Sequence, residues 1–204
     1  MSTYTVPPTT GPDAEPTPDF FVPLRGLVAE DELEALRISP VLRPLQRAAL
    51  TLVSLGHSHR ETAALLGGRP HSLHGALDRA DKTLGSGGRT PALLHAAYRT
   101  PGYPLPRRRG AAADPRPVLN AEERAVLDAY ATGVTLLRLA EARRCTARHL
   151  TVVNRRLLTH LAARTPVHGV RRAWELGIYT RHNCPAREYP LQAASSAAGR
   201  TRCS

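Results

Sequence analysis

The residues best suited to chemistry in this chain are basic and polar side chains between positions 147 and 161. Arginine hydrogen-bonds to phosphate oxygens and guanine edges, and histidine, threonine and asparagine also contact bases or phosphates in protein–DNA complexes. A helix over this stretch places its apolar residues on one side: Leu150, Val153, Leu157, Leu158 and Leu161. The other side carries no acidic residue and consists of Arg148, His149, Thr151, Asn154, Arg155 and Arg156. The pattern predicts a helix that binds DNA through a cationic face.

The predicted contacts divide into base readers and phosphate binders. We expect four residues of the cationic face to point toward base edges in the groove: Arg148, His149, Thr151 and Arg155. Phosphate contacts are predicted for the remaining polar residues of the face and for three positions on neighbouring helices: Thr135, Asn154, Arg156, Arg171 and Arg172.

Sequence signals place this helix third in a set of four. Asn120 and Glu123 form a capping box for the first helix, which stops at Gly133. Thr135 caps a second helix that breaks at Arg143–Thr146. The fourth helix is marked by a cap, a proline at its first position and a glycine stop: Thr165, Pro166 and Gly177. A second and third helix joined by a tight turn predict a helix-turn-helix whose later helix lies in the major groove.

The stretch 119–179 resembles the LuxR-type helix-turn-helix domain of bacterial transcription regulators. The matching residues are Leu119, Glu123-Arg124, Val126-Leu127, Gly133, Thr135, Leu139-Ala140, Thr146, Leu150, Leu161 and Glu175-Leu176-Gly177-Ile178. The family's Thr-Val-Lys-x-His reads here as residues 149–153, and its Leu-Gly turn reads Arg143-Arg144, so the preferred DNA sequence stays open. The fourth region of bacterial sigma factors has a similar helix-turn-helix, and the Thr165–Ile178 helix favours the LuxR type.

Residues 38–103 repeat this pattern. At an offset of 77 positions, Leu42, Arg47, Leu50, Gly56, Ala63, Arg79 and Leu84 match Leu119, Arg124, Leu127, Gly133, Ala140, Arg156 and Leu161. Ser58 and Glu61 predict a capping box, Gly67-Gly68 a turn, and Pro70–Leu84 the second reading helix. That helix has zero net charge. We therefore expect the first unit either to bind DNA weakly through His71, Ser72, His74 and Arg79 or to serve as a packing and pairing module.

These observations predict an all-α fold with two tandem four-helix helix-turn-helix domains. The expected segments are a Thr/Pro-rich, disordered leader with a short acidic helix (1–37), the first unit (38–103), a Pro/Arg-rich linker (104–118), the second unit (119–179) and a flexible basic tail (180–204). The acidic helix either packs on the first unit, contacts another protein, or mimics DNA over a basic face. An extended linker spans roughly 45 Å, enough to place two separate units in neighbouring major grooves.

Composition points to a polyanionic partner and away from catalysis. The net charge is +11, with −5 in residues 1–37 and +16 in the remainder. Part of this charge reflects overall composition rather than function, because 27 of the 28 basic residues are arginine in an Ala-, Gly- and Pro-rich chain. There is no phosphate-binding glycine loop, no hydrolase or metalloprotease motif, and no apolar run of membrane-spanning length. Three cysteines (Cys145, Cys184 and Cys203) lack metal-ligand spacing, and His57, His59, His71 and His74 are a weak metal constellation.

We therefore expect a cytoplasmic, nucleoid-associated protein that is not an enzyme and has no cofactor, no metal and no membrane contact. The first function class is a transcription regulator that binds double-stranded DNA in a sequence-specific way. The alternative is a protein-interaction module, similar to a sigma-factor region, that binds RNA polymerase or another regulator. A homodimer fits either class.

Overall fold

The computed structural model describes residues 18–107 and 117–185, and every regular element in these ranges is helical. A single turn of 3-10 helix at Val22–Leu24 comes first. The α-helices that follow are α1 (Glu30–Ile38), α2 (Pro44–Ser54), α3 (His59–Leu65), α4 (Pro70–Leu84), α5 (Thr90–Arg99), α6 (Ala121–Thr132), α7 (Leu136–Arg143), α8 (Ala147–His160) and α9 (Pro166–Glu175). The all-α prediction is confirmed. The expected disorder of the leader and tail falls on 1–17 and 186–204, outside the described residues, as does most of the linker.

Helices α3 and α6–α9 begin where a side chain accepts a hydrogen bond from one of the first free backbone amides. The Asn120 side-chain oxygen accepts hydrogen bonds from the amides of Glu122 and Glu123, and the Glu123 carboxylate accepts one from the Asn120 amide at 3.1 Å. Ser58 and Glu61 make the same reciprocal pair at the start of α3. These local interactions fix the helix boundaries that the sequence predicts.

Helices α2–α5 and α6–α9 form two units with matching boundaries. A spacing of 77 positions separates the first residues of three helix pairs: Pro44 of α2 and Ala121 of α6, His59 of α3 and Leu136 of α7, and Pro70 of α4 and Ala147 of α8. We call α2–α5 the first unit and α6–α9 the second unit. One start differs in detail, since Thr165 caps α9 through the His168 amide whereas the matching Thr90 lies inside α5.

The two units pack directly on each other and share one hydrophobic core. Helix α5 of the first unit lies against α6 and α9 of the second, and α2 also lies against α9. Aromatic rings fill the junction: Trp174 lies 5.6 Å from both His95 and Tyr98, measured between ring centroids. The two units are therefore in contact rather than separate, because α5 and α9 bury their apolar faces against each other.

The acidic helix α1 also belongs to this body. Leu33 and Leu36 are buried, and α1 packs on α2. Glu32 is buried as well and forms an ion pair with Arg171 of α9. Of the three interpretations of the acidic helix, the structure shows the packed one.

Candidate nucleic-acid interface

Helix α8 presents the cationic face that the sequence predicts. Arg148, Arg155 and Arg156 are exposed, and so is Thr151. The opposite side of the helix is buried in the core through Leu150, Val153 and Leu157, and through Leu161 just beyond its end. The hydroxyl of Thr146 accepts the amide of His149 at 3.1 Å and fixes the first turn of the helix. Three arginines on a helix with an apolar back form a rigid surface suited to a polyanion.

An acidic residue from another helix lies beside this face. Nε2 of His149 is 2.8 Å from Oε1 of Glu122 on α6, and both side chains are 42% exposed. His149 is therefore exposed, as predicted, but it already has a carboxylate partner. Sequence analysis missed this contact because the residues are 27 positions apart and only the packing of α6 on α8 brings them together.

Thr135 and Asn154, which are predicted phosphate binders, are less accessible than the three arginines of α8. Thr135 is half-buried, and its hydroxyl accepts the Arg138 amide at 3.0 Å as the cap of α7. Asn154 is half-buried, and its Oδ1 atom is buried without a hydrogen-bond partner. The sequence interpretation that Asn154 faces outward is thus only partly correct, because its position borders the core side of α8.

The predicted phosphate role of Arg171 is contradicted by its burial. Its guanidinium contacts carboxylates of Glu32 at 2.9 Å and Glu175 at 2.6 Å, and its side chain is only 3% exposed. Although burial disfavours a charged guanidinium, Tyr98 and the two carboxylates keep the pKa of Arg171 above its ordinary value. A buried charge needs such partners, so Arg171 holds helices together and does not reach solvent. Arg172 is half-buried and forms an ion pair with Glu175 at 2.6 Å.

The matching helix of the first unit, α4, exposes all four of its predicted contacts: His71, Ser72, His74 and Arg79. It also exposes an acidic residue, Asp78, whose carboxylate lies 3.9 Å from Nε2 of His74. Asp81 faces the loop after the helix and accepts a hydrogen bond from Ser86. The face of α4 is therefore accessible, and Asp78 offsets the charge of Arg79 on it, which fits a weaker contact with phosphates.

One residue of the α8 face was not predicted. Val152 is 44% exposed and lies four positions from both Arg148 and Arg156, on the same side of the helix. Its helical spacing from Arg148 and Arg156 was the signal available in the sequence. An exposed aliphatic group among the predicted base-reading residues is of a type that can contact a thymine methyl group.

Metal-ligating side chains do not form a cluster in the described part of the chain. Among residues 18–107 and 117–185, no group of three or more histidine, cysteine, aspartate or glutamate side chains is placed to hold a metal ion. The rings of His59 and His74 approach to 6.4 Å between centroids, but no further ligand joins them in this part of the chain. No helix in the described ranges is long and apolar enough to cross a membrane.

Comparisons of the chain with protein-family models, with curated proteins and with solved structures found no match.

Proposed function

We propose that this chain is a transcription regulator that binds double-stranded DNA in a sequence-specific way and reads the major groove mainly with α8. The observation that carries the proposal is the exposed face of Arg148, Thr151, Arg155 and Arg156 on a helix whose other side is buried. A helix fits the major groove, where arginine donates two hydrogen bonds to a guanine edge.

The arrangement of the preceding helices supports the same function. Helix α7 packs on α8 after a turn at Arg144–Thr146, and both pack in a unit closed by α9. This is the order of elements in a helix-turn-helix domain, in which the later helix enters the groove. Within this proposal, the resemblance of residues 119–179 to LuxR-type regulators favours that type over the sigma-factor type, and a cytoplasmic, nucleoid-associated location goes with it.

A gel-shift titration at several salt concentrations tests the proposal. The probes are duplexes enriched from a random library, with an unselected duplex of equal length as control. We expect preference for the enriched duplexes and a steep fall in affinity with salt, roughly a thousand-fold between 50 and 200 mM if about six phosphates are contacted. The absence of enrichment, together with no binding below micromolar concentration at 50–100 mM salt, would overturn it and favour a protein-interaction module.

A further inference from the structure

The two units touch each other through reciprocal contacts. Gly56, in the turn between α2 and α3, lies against Arg164 and His168 at the start of α9; a Cβ on Gly56 would come within 3.0 Å of Nδ1 of His168. Gly133 occupies the matching turn of the second unit, 77 positions later. It lies against Ala92 near the start of α5, where a Cβ would come within 3.4 Å of the Ala92 Cβ atom. Each unit thus places the same turn against the same helix start of the other.

The contacts between whole helices of the two units are reciprocal as well. Helix α5 packs on α6, and its counterpart α9 packs on α2, the counterpart of α6. Helices α5 and α9 are counterparts of each other and are in direct contact. Contacts in which i meets j and j meets i define an isologous interface, which is produced by a two-fold axis. The two units are therefore related by an approximate two-fold axis that passes between α5 and α9.

This relationship fixes the orientation of the two candidate reading helices. Helices α4 and α8 begin at matching positions, Pro70 and Ala147, so the same axis relates them. Helix-turn-helix proteins with two-fold symmetry read half-sites in opposite orientations, since their symmetry matches that of the duplex. Two units on a free linker would instead read either orientation.

We infer that one chain reads a bipartite DNA site with two half-sites in inverted orientation, α8 on one and α4 on the other. This inference rests on the proposed function and adds the arrangement of the two half-sites in the bound DNA. The two half-sites contribute unequally, because α8 carries three arginines and no acid whereas Asp78 and Asp81 balance Arg79 and Lys82 on α4. We expect the half-site centres to be about one helical turn apart, or a multiple of it.

A symmetrised variant tests the orientation. Five substitutions copy the exposed residues that α8 carries from Arg148 to Arg155 onto the matching positions of α4: His71→Arg, Ser72→His, His74→Thr, Gly75→Val and Asp78→Arg. Arg79 already matches Arg156. All five positions are exposed or half-buried, so the core side of α4 is untouched. Both proteins are used to enrich binding sites from random duplexes, and circular dichroism checks that the variant keeps its helices.

The wild-type chain should enrich a site with two unequal halves, and the variant a palindrome whose halves are both the one read by α8. A direct repeat enriched by the variant, or a single half-site enriched by both proteins, would overturn the inference while leaving the proposed function standing. No enrichment by the wild-type chain would overturn the proposed function, and the inference with it.

A second measurement uses only the wild-type chain and holds even if the variant does not fold. Hydroxyl-radical footprints on the enriched duplex should show protections on the two strands related by rotation about the centre of the site. Titration at concentrations far above the dissociation constant should give one chain per duplex. Protections repeated by translation along one strand, or two chains per duplex, would contradict a single chain with an internal two-fold axis.

Discussion

The guanidinium of Arg171 on α9 lies 2.9 Å from the carboxylate of Glu32 on α1, and both side chains are 3% exposed. The same guanidinium is within 3.5 Å of the hydroxyl oxygens of Ser54 on α2 and Tyr98 on α5. Burial raises the pKa of Glu32, and the nearby Arg171 charge and Arg107 amide oppose that shift. One arginine of the second unit therefore connects the acidic helix with two helices of the first unit.

Replacement of Glu32 by alanine should destabilise the protein by about 3 kcal/mol, because it leaves a buried guanidinium with only Glu175 as a carboxylate partner. The free energy of unfolding, from urea denaturation followed by circular dichroism, measures the change. The matched control is Arg107→Ala, which removes an exposed ion pair with Asp31 and should cost less than about 1 kcal/mol. Similar losses for the two variants would show that the buried pair is not what joins the helices.

A pair of matching turn positions predicts opposite effects of two substitutions. Arg144 has φ of +53° and Gly67, its counterpart 77 positions earlier, has φ of +66°. Only glycine adopts this left-handed region without a steric cost of about 1–2 kcal/mol. We expect Arg144→Gly to raise the free energy of unfolding by about 0.5–1 kcal/mol, since the relieved strain exceeds the entropy that glycine adds to the unfolded chain.

The counterpart substitution Gly67→Ala should lower the free energy of unfolding by about 1 kcal/mol. No atom lies within 4 Å of a Cβ added at Gly67, so the loss reports backbone conformation alone. Thermal unfolding without DNA measures both variants. A destabilised Arg144→Gly protein would mean that the arginine side chain supports the turn through contacts that outweigh its strain.

Stability should fall as the pH is lowered from about 6.5 toward 4. Burial lowers the pKa of His95 to about 4, where its Nδ1 accepts a hydrogen bond from Nε1 of Trp174 at 3.2 Å. Between these pH values the unfolded chain binds a proton at this site and the folded protein does not, so the stability is complete above 6.5 and declines below it. When the pH has fallen below both pKa values, the lowered pKa of His95 corresponds to a loss of roughly 3 kcal/mol in the free energy of unfolding.

Urea denaturation of the wild type and of His95→Gln at pH 7.5 and 5.0 measures this dependence. Glutamine keeps a donor and an acceptor but does not titrate, so the difference in unfolding free energy between the two pH values should be smaller in the variant. His168, whose pKa burial also lowers, remains in both proteins and contributes equally. An identical pH dependence would remove His95 as its source.

The helix boundaries were predictable because their signals are local. The capping boxes of Asn120 with Glu123 and of Ser58 with Glu61 each lie within four residues, and both are formed. The exposed arginines of α8 followed from helical spacing against a leucine-rich side. These signals can be recognised without knowing which helices pack on each other.

The remaining features depend on contacts between distant segments. Arg171 was assigned to phosphate because arginine on an amphipathic helix is usually exposed, and only the docking of α1, 139 positions earlier, makes it a core residue. The periodicity of α5 and α9 likewise shows that each helix has an apolar face to bury. It does not show that the two faces are buried against each other. The sequence therefore predicted helix boundaries and the exposed face of α8, but not the packing of α2 and α5 on α6 and α9.

Removal of two α8 arginines should weaken specific DNA binding. Arg148→Ala combined with Arg155→Ala should reduce affinity for an enriched duplex by more than ten-fold, since each lost base contact costs about 1–3 kcal/mol. The charge-matched control replaces two exposed arginines that do not belong to α8, Arg25 and Arg99, with alanine. Gel-shift titration at fixed salt compares the two proteins, and equal affinities would remove α8 from the reading role.

Replacement of Glu122 by glutamine should strengthen DNA binding. Its carboxylate lies 2.8 Å from Nε2 of His149, at the start of the helix that is proposed to enter the groove, and a nearby phosphate would repel it. Glutamine is nearly the same shape and can still hydrogen-bond to His149, so the change removes mainly a negative charge. We expect a two- to five-fold gain in affinity at about 50 mM salt and a smaller gain at 200 mM, because screening weakens the repulsion.

The control for Glu122 is Glu34→Gln, which removes an exposed charge on α1, far from α8 in the chain. It should leave the affinity for the enriched duplex nearly unchanged. A loss of affinity in Glu122→Gln alone would show that the carboxylate is needed to orient His149, and His149→Ala would then produce a similar loss. An unchanged affinity in both glutamine variants would mean that the start of α8 lies away from the phosphates and that DNA is contacted through its later turns.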